Sequence, residues 1–163
     1  MNNQQTCIVH GVLLNMFSTG VLLIGESGSG KSDLTLELLS RGHRLIADDA
    51  VILSAGSDNV VRGFCPQTLS GMLEVRGIGL VDVKRLYGEN AICPSSSVDA
   101  VIELVRTRSS RAYIQDRLIT ELQTFAVFHC LLPKLCLPIN DSRPLPTIVE
   151  TAVNQWFWSP RVL

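Results

Sequence analysis

Gly25-Glu26-Ser27-Gly28-Ser29-Gly30-Lys31-Ser32 has the G-x-x-x-x-G-K-[ST] spacing of a loop that wraps phosphate. Glycines let the backbone curl around an anion where a side chain would stand in the way, and they take up dihedrals that other residues avoid. Backbone N–H groups at the start of the following helix then point at phosphate oxygens. In such a loop Lys31 reaches the β- and γ-phosphates and the Ser32 hydroxyl ligates Mg²⁺. The alternative is a Gly/Ser turn that binds nothing. Four fixed positions match by chance in roughly one chain of this length in a few hundred. The neighbours make the match rarer still: Val21-Leu22-Leu23-Ile24 reads as a buried strand, and the Gly-free, leucine-rich segment 33–41 as a helix.

Two further places carry chemistry. Asp48-Asp49 interrupts an apolar stretch, 44–53, that reads as one strand. Side chains alternate along a strand, so both carboxylates cannot enter one core. An acidic pair near a phosphate loop fits a carboxylate placed by Mg²⁺ or by an attacking hydroxyl; an ordinary Asp-Asp turn is the competing reading. In 72–83, Glu74 and Arg76 share one face of an extended segment, and Gly77 and Gly79 allow close approach by backbone or ligand. A half-exposed strand with a surface ion pair accounts for them equally well. By itself His10, at a strand edge, reads as structural.

The elements that must position these residues follow from pattern. Strands are predicted over 6–9, 10–17, 21–24, 60–64, 98–105 and 136–139, with a turn at 18–20 and a short helix over 81–87. Residues 106–111 and 140–146 read as polar loops. Segment 147–158 reads as a closing helix capped by Thr147, with Glu150 in the capping-box position. Its Trp156 and Trp158 are expected to pack on the core or on another subunit. Strands and helices together give an α/β fold, formed by residues 1–163 as a single domain.

Composition narrows the partners. The chain has 163 residues and a net charge of −1, and a mean hydropathy of +0.27. It has no basic excess for nucleic acid and no polybasic patch or apolar span for a membrane. Its polar, uncharged start is not a signal peptide. Five cysteines without C-x-x-C spacing point to free thiols in a reducing cytoplasm.

Four motifs in order, His10-Gly11-Val12-Leu13, loop 25–32, Arg41-Gly42-His43-Arg44-Leu45-Ile46-Ala47-Asp48-Asp49 and Leu73-Glu74-Val75-Arg76-Gly77-Ile78-Gly79, resemble the catalytic domain of HPr kinase/phosphorylase. The likeness runs over about residues 7–158. It implies a mixed sheet that contains the phosphate loop and is flanked by helices, similar to the nucleotide-binding domain of phosphoenolpyruvate carboxykinase. It also implies ATP-dependent phosphorylation of a serine on the phosphocarrier HPr or a paralogue, reversal by inorganic phosphate to give pyrophosphate, and a homo-hexamer. By position, Asp49 would accept the serine proton, His10, Lys31 and Arg117 would be active-site residues, and Ser32 and Glu74 would bind Mg²⁺. The chain departs from the family in two ways. It starts almost at the catalytic domain, without the usual N-terminal one. Its late loop, Pro138-Ile139-Asn140-Asp141-Ser142-Arg143-Pro144, differs from the usual P-V-R-P-G-R-N, which bears on the reverse direction: Asn140 stands where an arginine would clamp phosphate. Two other functions fit the same residues, a small-molecule kinase and a nucleotide-binding regulatory module without catalysis.

Overall fold

A computed structural model describes residues 5–106, 122–140 and 142–157. Their elements are β1 (Gln5–His10), β2 (Val12–Met16), β3 (Thr19–Gly25), α1 (Lys31–Ser40), β4 (Arg44–Ala47), β5 (Ala50–Ala55), β6 (Val61–Phe64), β7 (Met72–Val75), β8 (Gly79–Asp82), α2 (Val83–Tyr87), β9 (Ser95–Ser97), β10 (Ala100–Arg106), β11 (Gln123–Val127), β12 (Cys130–Ile139) and α3 (Leu145–Ala152).

A six-stranded sheet in the order β11-β12-β10-β3-β2-β4 forms the centre; a four-stranded sheet, β1-β5-β6-β9, and a hairpin, β7-β8, complete the layers. This is a mixed α/β fold. Strands β3, β10 and β12 run parallel and the other pairs in the central sheet are antiparallel. Leu23 and Ile102 pack with Leu34 and Leu38 of α1 and Val149 of α3. On the opposite face Leu22 and Val101 pack with Leu53 and Val61 of the smaller sheet. Burial on both faces is why β3 is apolar at every position from 21 to 24 rather than alternating.

The stretch 44–53 is not one strand. The chain leaves the central sheet after Ala47 and enters the smaller sheet at Ala50, with Asp48 and Asp49 forming the corner. Residues 10–12 make a second sheet-to-sheet corner beside it: β1 pairs with β5, and β2 with β4. Gly11 permits this, because a Cβ there would lie 2.6 Å from the Leu23 carbonyl oxygen, and its N–H donates to the Asp49 carbonyl oxygen at 3.2 Å.

Other predicted elements shift. The β2–β3 turn centres on Phe17 and Ser18, both at positive φ, as a tight two-residue hairpin turn requires. Ser95–Ser97 forms an edge strand on β6. The closing helix begins at Leu145, after Pro144 and with Pro146 in its first turn, so Thr147 is not its cap. Glu150 is no capping-box residue either: its carboxylate accepts from Arg41 (2.8 Å) and pairs with the ring of the buried His43 (2.8 Å), tying the end of α1 to α3. Trp156 is 45 % exposed, and Trp158 lies outside the described residues.

A candidate active site between a glycine-rich loop and an acidic corner

Between Gly25 and Lys31 the chain turns through positive φ at Gly25, Gly28 and Gly30, at 146°, 79° and 90°. Gly30 precedes the first turn of α1, and its carbonyl accepts from Leu34 N–H at 3.0 Å. A non-glycine residue would be strained at these φ values. Lys31 is buried, and its ammonium folds back on the loop, donating to the carbonyl oxygens of Gly25 (2.8 Å) and Glu26 (3.1 Å) and to the Ser29 hydroxyl (3.4 Å). Burial pushes its pKa down, against the opposing charges of Asp48 and Asp49. Ser29 is buried and donates its N–H to Glu26 O at 3.1 Å.

Opposite the loop lies the acidic corner. Ala50 N–H donates to Asp48 O at 2.7 Å, and the residue between them, Asp49, has φ 64°. This is a three-residue γ-turn with its apex at Asp49, a strained backbone for a non-glycine residue and a feature that clusters at functional sites. The turn separates the two carboxylates. Asp48 points inward, is 8 % exposed, and accepts the Glu74 N–H at 2.9 Å. Burial raises its pKa, partly offset by the N–H donors of Glu74 and Asp49. The Asp49 side chain is 62 % exposed. His10 Nδ1 donates to the Asp49 carbonyl oxygen (3.1 Å) and lies 3.0 Å from its Oδ1. Residue His10 closes β1 opposite Ala50, so the register of the smaller sheet brings the two together.

Loop and corner face each other across a cleft of ≈ 480 Å³. From the sequence-predicted set, His10, Ser27, Gly28, Gly30, Lys31, Ser32, Asp49 and Glu74 all line it. Gly25, Glu26 and Ser29 sit behind the rim and hold Lys31. Arg117 lies outside the described residues. Gly77 and Gly79 take positive φ in the β7–β8 turn, with open space where a Cβ would be.

Three lining residues carry more than their sequence context suggested. Asp48 is the buried partner of Asp49. Arg76 makes no ion pair with Glu74 and lies over Gly28, where a Cβ would sit 3.3 Å from its Nη2. Arg106, read from composition as part of a solvated loop, donates from Nη2 to Gly28 O at 2.9 Å. Only the register of β10 beside β3, Leu104 opposite Gly25, announces its position.

The fold and site thus define a mixed α/β domain with a cationic glycine-rich loop facing carboxylates across one cleft. The family model of the HPr Serine kinase C-terminal domain matches residues 2–161. Proteins called HPr kinase/phosphorylase from Thermoanaerobacter sp. (strain X514) and Bordetella pertussis are each 42% identical to it, over 144 and 149 residues. Those alignments take in 88% and 91% of this chain, and 47% and 48% of the relatives. The chain therefore spans about half the length of the curated relatives it matches. A solved structure, the Hpr(Ser) kinase/phosphatase from Coxiella burnetii, superposes with a TM-score of 0.83 at 34% identity, covering 91% of this chain and 88% of that one. The chain belongs to the HPr serine kinase C-terminal domain family.

Proposed function

We propose that this chain is an ATP- and Mg²⁺-dependent protein-serine kinase, a single catalytic domain over 1–163 that phosphorylates the phosphocarrier HPr or a paralogue. The observation that carries the reading is the shared cleft: the loop ending in Lys31 faces the exposed carboxylate of Asp49. The names of the relatives support HPr as acceptor. Phosphoenolpyruvate carboxykinase-like nucleotide binding, assembly as a hexamer and action in the cytoplasm belong to the same reading. All five cysteines are free, and among the described residues no helix is long and apolar enough to cross a membrane.

The residues present fit Mg²⁺. Hard oxygen donors line the cleft, from Ser32, Asp33, Asp48, Asp49 and Glu74, and among the described residues no cluster of three or more His, Cys, Asp or Glu forms a closed metal cage. Mg²⁺ takes one or two protein ligands and completes its shell with water and substrate phosphates. Ser32 and Glu74 would hold it, and when bound it neutralises phosphate charge.

The chain's own groups do the rest. N–H groups of the loop and of the first turn of α1, with Lys31, bind the phosphates of ATP. His10 holds Oδ1 of Asp49 and leaves Oδ2 for the incoming serine hydroxyl. As the serine oxygen bonds to the γ-phosphorus, its proton passes to Asp49, the bond from the γ-phosphorus to the β-phosphate oxygen breaks, and ADP departs. Arg117 is assigned to the same centre by its place in the resemblance. The reverse reaction with inorganic phosphate is expected to be slow: Asn140 spends its Oδ1 on the N–H (3.2 Å) and hydroxyl (2.9 Å) of Ser142 instead of offering a cation.

Radiolabelled ATP and purified HPr test the assignment. Labelled phosphoserine is expected with the unaltered chain. Asp49→Asn is expected to cut transfer about 10²–10⁴-fold while ATP still binds. Transfer by the variant at an undiminished rate would remove Asp49 from the role.

A further inference from the structure

Two guanidinium groups meet at Gly28, the crown of the loop, three residues from both the end of β3 and the start of α1. Arg106 reaches it from the carboxyl end of β10, with Nη2 on Gly28 O at 2.9 Å. Arg76 reaches it from the β7–β8 turn and covers its α-carbon. Neither arginine forms an ion pair with a described carboxylate, although Asp48, Asp49 and Glu74 line the same cleft. A neutral carbonyl uses one of the five N–H donors of Arg106 and none of its charge. Both guanidinium groups thus touch Gly28 with no carboxylate bonded to them, and a multiply charged anion beside them would supply the missing charge. Lys31 is fastened deeper, on the carbonyl oxygens of Gly25 and Glu26. Positive charge is therefore layered along the loop, with Lys31 at its base and the arginine pair at its crown.

We propose that Arg106 is a phosphate-binding residue of this cleft which, with Arg76, grips the outermost phosphate of a nucleoside triphosphate, so that the site distinguishes triphosphate from diphosphate. The inference rests on the reading of the loop as a nucleotide site. It adds a residue from β10, outside the four motifs that carry the family likeness. The bond to Gly28 O holds the guanidinium at the crown, and since Arg106 lines the cleft, the donors not spent on Gly28 are available for a bidentate grip on phosphate oxygens.

The test is equilibrium binding of ATP and of ADP to the full chain and to Arg106→Gln, Arg106→Lys and Lys31→Ala. Glutamine carries no charge and is shorter than arginine, whereas lysine keeps the charge on a stem of nearly the same length. Arg106→Gln is expected to weaken ATP about tenfold and ADP by no more than about twofold, the loss of one charge-assisted contact. Arg106→Lys is expected to recover part of the ATP affinity. Unchanged ATP binding in Arg106→Gln, or equal weakening of both nucleotides, would overturn the proposal: the residue would then only brace the loop. If the unaltered chain binds neither nucleotide, or Lys31→Ala binds as well as it does, the underlying nucleotide reading fails and the Arg106 role falls with it.

Discussion

The two walls of the cleft are built by opposite strategies. The loop wall is one continuous segment, 25–32, whose shape comes from glycine dihedrals and whose lysine is buried and tied to the loop's own carbonyls. The corner wall is assembled from three separate stretches, around His10, Asp48-Asp49 and Glu74, held together by register and by two sheet-to-sheet corners. The loop wall places its polar groups by backbone and buries its charge. The corner wall presents an exposed pair, His10 and Asp49, and hides one carboxylate beneath it. A wall made of backbone suits a ligand whose shape never varies, such as a phosphate chain. Exposed side chains suit a group that arrives on another protein.

This division predicts that damage to each wall reads out differently. Lys31→Met should have the largest effect, because it removes both the cation and the three contacts that brace the loop. Phosphotransfer is expected to fall about 10³-fold or more, and ATP affinity should fall with it in a binding titration. His10→Ala should leave ATP binding intact and slow transfer about 10–10²-fold, since Asp49 loses the donor that orients it but keeps its carboxylate. A His10→Ala chain that loses ATP affinity as severely as Lys31→Met would show that the walls are one unit.

The same contrast decides what could be read from the sequence. The strand–loop–helix unit was legible because its glycine pattern and the Lys31 contacts that brace the loop are all local in sequence. The acidic corner was half legible. Asp48-Asp49 stood out against apolar neighbours, but 44–53 has the same apolar character on both sides of the pair. Nothing local says that the chain changes sheets there, or that Asp48 turns inward and Asp49 outward. Ser95–Ser97 was missed as a strand because three serines carry neither apolar alternation nor the β-branched and aromatic side chains that mark strands. Thr147 was read as a cap because its hydroxyl and Glu150 fit that pattern, but the prolines at 144 and 146 start the helix earlier. Arg106 could not be found at all from composition: it matters only because β10 runs parallel to β3.

The smallest effect should come from the hidden carboxylate, and its sign is opposite to the others. Burial raises the pKa of Asp48, so the folded chain holds this proton more tightly than the unfolded chain, whose carboxylate has its ordinary value of about 3.8. The stability Asp48 contributes is therefore complete below that value and is lost as pH rises through the raised folded pKa. Above that raised pKa the fold carries a buried charge only partly compensated by N–H donors. Asp48→Asn removes the charge and keeps an oxygen to accept the Glu74 N–H. Its melting temperature is expected to exceed that of the unaltered chain by about 2–4 °C at pH 8, for an effect of about 1 kcal/mol. The gap should close as pH falls below the ordinary carboxylate range. Asp49→Asn should shift melting far less, because its carboxylate is mostly in water. A melting series against pH in which the Asp48→Asn advantage is absent, or grows toward acid, would show that the fold holds Asp48 as a stabilising ion, and the picture of a hidden carboxylate beneath an exposed one would have to be redrawn.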